Sequence, residues 1–169
     1  GGGHLRIEFR ALPSGPTIPD MMANAAFLVG LTVGLRDGVE RLVCGYPFAI
    51  AEMSFYRAAR DGMQATLLWP VSEAPSPQEC VARDLISSLL PVADRGLEAL
   101  GVDSAERTRY LGIIADRVLT GQTGARWQRA ALQALRGRLS RHDALDALVR
   151  EYAAWVDTQL PVHSWPSPT

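Results

Sequence analysis

His4-Leu5-Arg6-Ile7-Glu8-Phe9-Arg10-Ala11 is centred on a strict apolar–charged alternation, and Leu12-Pro13-Ser14-Gly15-Pro16-Thr17 leads from it directly into an apolar stretch at residues 21–35. A β-strand turns successive side chains to opposite faces, so Leu5, Ile7 and Phe9 share one face and Arg6, Glu8 and Arg10 share the other. Proline donates no ladder hydrogen bond and Ser14-Gly15 suits a turn, so the strand ends there. Thr17 with Asp20 three residues on has the form of a capping box, with Asp where Glu or Gln is usual. Pro19 falls in the first turn, where its missing N–H costs nothing. The helix over residues 21–35 is apolar nearly all round, which demands cover on more than one side and a central place in the fold.

Working outward, Pro47 opens a helix through Arg60, with Ile50, Phe55, Ala58 and Ala59 as buried positions and Asp61-Gly62 as its stop. Residues 63–69 read as a short strand, and residues 70–77, with Pro70, Pro75 and Pro77, as a surface loop. Helices follow at 78–100, kinked or split at Pro91, at 104–119 behind Asp103 and Glu106, and at 124–136. A last helix covers 141–158, capped by Ser140 with Asp143 and carrying Leu145, Leu148, Val149, Tyr152 and Val156 on one face. The expected fold class is α+β: one or two antiparallel strands followed by a mainly helical bundle. A single clear strand needs pairing partners that this segment scarcely provides, so residues 1–169 read as one partial domain whose other strands lie upstream. The opening Gly1-Gly2-Gly3-His4, without an initiating methionine or a signal core, agrees with a start inside a longer gene product.

Composition narrows the function classes. The 169 residues are 47% hydrophobic and 21% charged, the balance of an ordinary globular domain rather than a disordered or fibrous chain. A formal net charge of −1 supplies no global attraction to nucleic acid or anionic lipid. The longest uncharged stretch, fifteen residues at 21–35, falls short of a membrane span. Cys44 and Cys80 lie far apart without a C-x-x-C motif, which points to reduced thiols and a cytoplasmic setting. All 17 basic residues are arginine, which reads as genome composition more than as function.

The polar row of the first strand carries the clearest chemistry. Neighbours in it are separated by two strand rises of roughly 3.3 Å each. Flanking guanidiniums favour an ionised Glu8, the form a hard cation such as Mg²⁺ requires, and the planar fork of Arg10 matches carboxylate or phosphate oxygens. A solvated face with cross-strand ion pairs fits the same alternation. Asn24, inside an apolar helix, needs a specific partner: a structural bond tying the helix to strand or turn, or a substrate. Gly121-x-x-Gly124 with Arg126 fits either an anion site at a helix N-terminus or a plain turn leading into the helix. His4, His142 and His163 lack metal-ligand spacing, and His163 with Trp165 reads as an anchor for the tail.

The run from His4 to Thr17, continued by Ala23-Asn24-Ala25-Ala26-Phe27-Leu28-Val29-Gly30-Leu31, resembles bacterial glutamate–cysteine ligase-like carboxylate–amine ligases and, more remotely, glutamine synthetase. Thr120-Gly121-Gln122-Thr123-Gly124-Ala125-Arg126-Trp127 and Pro161-Val162-His163-Ser164-Trp165-Pro166 are similar to the same group. The resemblance implies the C-terminal part of a glutamine synthetase-like catalytic domain, in which a curved antiparallel sheet floors a funnel for ATP, Mg²⁺ or Mn²⁺, and a glutamate-like carboxylate. It implies amide formation through an acyl phosphate with a cysteine-like amine, no nucleic-acid or membrane partner, and a homo-oligomeric full-length protein. Glu8 falls on the family's metal-binding glutamate, Arg10 on the arginine that contacts carboxylate or transferred phosphate, and Arg6 and Arg126 are lesser candidates for the same oxygens. The remaining metal carboxylates are expected upstream, and this segment alone is expected to be inactive.

Two other classes compete. Arg126, Arg129, Arg136, Arg138 and Arg141 fall within sixteen residues that contain no acidic residue, which suits a module binding polyanions or acidic partners. A helical scaffold without chemistry is equally compatible with one surviving glutamate.

Overall fold

The structure is a computed structural model describing residues 3, 8–10, 12, 14–70 and 76–168. It is α+β and mostly helical, and among the described residues the sheet has two strands. The helices are α1 (Ile18–Gly34), α2 (Val39–Gly45), α3 (Phe48–Asp61), α4 (Ala82–Ala99), α5 (Ser104–Thr120), α6 (Gly124–Arg136) and α7 (Arg141–Asp157), with short 3₁₀ turns at Arg36–Gly38, Gly62–Gln64 and Val162–Ser164. Strands β1 (Thr66–Trp69) and β2 (Gln78–Val81) pair antiparallel, Thr66 opposite Val81 and Trp69 opposite Gln78.

Local signals place most of these boundaries. Thr17 Oγ accepts the Asp20 amide, and its hydroxyl donates to Asp20 Oδ2 at 2.8 Å. The aspartate thus takes the cap's side chain, where a longer glutamate would reach back to the cap's amide. Asp103, Thr123 and Ser140 accept first-turn amides of α5, α6 and α7 in the same manner. Gly121, at φ +68°, ends α5 in the left-handed conformation that glycine adopts without penalty.

Several expectations need correction. Of the strand expected at 4–11, residues 4–7 and 11 lie outside the described residues, and Glu8, Phe9 and Arg10 are exposed and form no strand. The sheet therefore sits mid-chain, after three helices. Residues 78–81 are strand β2 rather than the start of a helix, because β1 offers an edge whose amides and carbonyls they satisfy. α4 runs unbroken through Pro91, packed against both α1 and α5, so tertiary contact outweighs one lost hydrogen bond. In α3 the buried residue is Ser54, whose Oγ accepts the Leu68 amide, while Phe55 and Ala59 are exposed. In α7 Leu148 is buried, but Leu145 and Val149 are exposed. α1 is covered by α4 and α5, and leaves Ile18, Met21, Met22 and Val29 exposed on its outer side.

Two apolar clusters result. One joins α1, α4 and α5 through Ala23, Phe27, Leu90, Ala93, Leu97, Leu111, Ile113 and Ile114. The other packs Trp127, Ala131 and Leu148 against Val162 and Trp165 of the C-terminal segment, with the Trp127 and Trp165 rings edge to face at 5.4 Å. The first depends on a close crossing of α1 and α4, where Gly30 and Gly34 meet Ala93 and Gly96. A Cβ on Gly96 would lie 2.7 Å from the Gly34 nitrogen and 2.8 Å from the Gly30 carbonyl carbon.

Gly96→Ala gains up to about 1 kcal/mol of helix propensity but overpacks this crossing, and the expected net effect is a loss of about 1–2 kcal/mol. Gly112→Ala, where a Cβ would meet nothing within 4 Å, is expected to be stabilising. Urea unfolding followed by tryptophan fluorescence measures both.

Candidate functional site

The densest polar arrangement lies where the start of α1, the end of α5 and the C-terminal segment meet. Asp20 is fully buried. Its Oδ2 accepts the Thr17 hydroxyl at 2.8 Å and the Val162 amide at 3.0 Å, and its Oδ1 accepts Arg117 Nη2 at 2.7 Å. Arg117 is itself nearly buried, and its Nη1 donates to Asn24 Oδ1 at 2.6 Å. Asp20 and Asn24, four residues apart on one helix, thus share a single guanidinium from α5. Gln122 donates from Nε2 to the carbonyls of Val162 and Trp165 at 2.8 and 2.7 Å, and Trp127 Nε1 donates to the Pro166 carbonyl. Burial pushes the Tyr152 phenol up, the Asp20 charge adds to the shift, and a hydrogen bond with Gln128 opposes it. His163 Nε2 stands 3.6 Å from Asp116 Oδ2.

Chemically this junction is a clamp. Asp20 has no exposed surface and three donors on its two oxygens, so it cannot meet a substrate, and its charge is balanced in place. Asn24 makes the structural bond expected of it, though to α5 rather than to strand or turn. Arg126 is exposed, and its Nη1 turns back to the Gly121 carbonyl at 3.2 Å, neutralising the carbonyl end of α5 instead of aiming at an external anion. Trp165 does hold the tail, packed against Trp127 and Leu148, whereas the His163 side chain makes no hydrogen bond among the described residues that would anchor it. The pattern reading overlooked Arg117, and treated Asp20 only as a cap. The available signal was the i,i+4 pair of polar residues on an otherwise apolar helix, which obliges a buried cation or donor elsewhere.

Glu8 and Arg10 stand apart from this junction. Arg10 Nε lies 3.0 Å from Glu8 Oε1, and both side chains are exposed, at 82% and 71%. Arg6 lies outside the described residues. One carboxylate already facing its own arginine does not make a magnesium site, which needs several oxygen ligands, and no three His, Cys, Asp or Glu side chains come together among the described residues. An open groove of about 630 Å³ runs between α4 and α5, lined by Arg83, Asp84, Ser87, Asp116 and Leu119 among others. Arg83 is committed there to the Val118 carbonyl at 3.1 Å. No described helix is long and apolar enough to cross a membrane. Compared with family models, curated proteins and solved structures, the chain matches none.

Arg117→Met leaves the Asp20 carboxylate buried without its counter-charge and is expected to cost about 3–5 kcal/mol. Adding Asp20→Asn should recover at least about 1 kcal/mol in a double-mutant cycle, and strict additivity would disprove the coupling. The thiols also separate: Cys44 is exposed, whereas burial, reinforced by the Asp84 charge, pushes the Cys80 thiol up. Iodoacetamide at mildly alkaline pH should alkylate Cys44 first, as peptide mass spectrometry would read.

Proposed function

We propose that this chain is the C-terminal part of an ATP-dependent carboxylate–amine ligase of the glutamate–cysteine ligase-like group. The observation that supports it is spatial. The second and third of the stretches that carry the resemblance bond directly, Gln122 to the Val162 and Trp165 carbonyls and Trp127 to the Pro166 carbonyl. The first reaches the same junction through residues outside it, Thr17 by way of Asp20, which accepts the Val162 amide, and Asn24 by way of Arg117. Side chains locked together in this way are constrained jointly, which gives a physical reason for the three stretches to occur together. The support is for a shared scaffold, and the chemistry is carried by resemblance alone.

Under this reading Glu8 contributes one carboxylate to a divalent-metal set completed by residues outside the described ones. Arg10 holds substrate carboxylate or phosphoryl oxygens through its planar fork. Both must leave their mutual surface pair to do so, and that exchange is cheap, because an exposed pair is worth at most about 1 kcal/mol. Asn24, Arg117 and Asp20 take no part in the reaction and hold the helix that follows the Glu8–Arg10 segment.

The test is ATP-dependent phosphate release by the full-length gene product, with glutamate as carboxylate and a panel of amines. Glu8→Gln and Arg10→Gln are each expected to lower turnover by about 10²-fold while leaving thermal stability unchanged. Undiminished turnover in Glu8→Gln would remove it from the metal set, and absence of turnover with every carboxylate–amine pair would end the ligase reading.

A further inference from the structure

α6 buries Trp127 and Ala131 and turns Arg129 and Arg136 outward, two turns apart and so about 10 Å along the axis. With Leu132, Gln133 and Gly137 they line an open groove of about 520 Å³. Elsewhere Arg57 and Arg83 donate to backbone carbonyls, while several arginines pair with acidic neighbours: Arg36 with Asp37, Arg60 with Asp61, Arg107 with Asp94, Arg117 with Asp20 and Arg150 with Asp146. Around α6 this is impossible locally, because no Asp or Glu occurs between Asp116 and Asp143. Arg129 and Arg136 have no hydrogen-bond or ion-pair partner among the described residues.

We infer that this outer face of α6 docks an acidic segment of a partner protein, a helix presenting carboxylates seven residues apart with an apolar side chain between them. The two guanidiniums match such carboxylates in sign and spacing, and the partly buried Leu132 supplies the apolar centre between them. Single-stranded nucleic acid fits less well, since it needs aromatic platforms and the aromatic residue of α6, Trp127, is 1% exposed and packed in the core. A second copy of this chain fits less well too, because no described helix carries carboxylates seven residues apart. The inference is independent of the ligase reading, and concerns a face remote in sequence from Glu8 and Arg10.

The experiment uses the 169-residue chain and three fluorescent probes: a synthetic amphipathic helix of about 20 residues with Glu seven apart around Leu, the same peptide with Ser for Leu, and an oligothymidylate of equal charge. Anisotropy should show the Leu peptide binding tightest, and weakening as salt rises from about 50 to about 200 mM. Arg129→Gln combined with Arg136→Gln should weaken binding about tenfold, while Arg36→Gln leaves it unchanged. Circular dichroism melts check folding, and Arg129→Lys with Arg136→Lys, which keeps both charges, should restore part of the loss. No binding of the Leu peptide, equal or tighter binding of the oligothymidylate, or binding indifferent to the Gln pair would each overturn the inference.

Discussion

A carboxylate with no access to water must be surrounded by donors, and Asp20 imposes that demand on the rest of the chain. It is met by three groups that are separated in sequence: the Thr17 hydroxyl, the Arg117 guanidinium and the Val162 amide. Satisfying one side chain therefore fixes where α1 begins, how α5 lies against it and where the C-terminal segment returns. The aromatic cluster follows from the last of these. Once Val162 is held, Trp165 falls between Trp127, Tyr152 and Trp155, with ring centroids 5.4 to 6.0 Å away. Polar and apolar contacts here are mutually dependent: the tail's carbonyls occupy Gln122 and Trp127, while its side chains complete the core of α6 and α7.

The other constraint is steric. α1 and α4 approach so closely that Gly30, Gly34 and Gly96 leave no room for a Cβ. Close approach maximises dispersion contact between helices that offer few large side chains at the crossing. It also explains how α4 tolerates Pro91, because the helix is held by packing against both α1 and α5. The outer side of α1 remains apolar and exposed at Ile18, Met21, Met22 and Val29. Fifteen uncharged residues therefore do not imply cover all round: small residues allowed one side to be buried very tightly, and the opposite side was left open.

Much of the architecture was readable in advance where a local rule governs it. The caps at Thr17, Asp103 and Ser140 depend on side chains within three residues of the amides they serve, so the starts of α1, α5 and α7 follow from local sequence. The strand expected at 63–69 is realised over residues 66–69, because residues 62–64 close a 3₁₀ turn instead, and of the loop expected at 70–77 residues 71–75 lie outside the described residues. The alternation at residues 4–11 was a weaker guide, since strand formation needs an edge to pair with, and Glu8, Phe9 and Arg10 are unpaired and exposed. Arg126 had two open readings, and the structure adds that its Nη1 donates to the carbonyl of Gly121 in its own preceding turn.

What the sequence by itself determined is the α+β, mainly helical character, the starts of α1, α3, α5, α6 and α7 and the anchoring role of Trp165, because these depend on short-range hydrogen bonding and on the large apolar area of an indole. Only the tertiary structure decided that residues 78–81 are a strand and that Ser54 rather than Phe55 is buried. It also joined Asp20 and Asn24 to Arg117, 97 and 93 positions away in the chain. The reason is common to all three: each partner is chosen by a contact distant in the chain, and periodicity describes which face a residue occupies without specifying what will come to meet it.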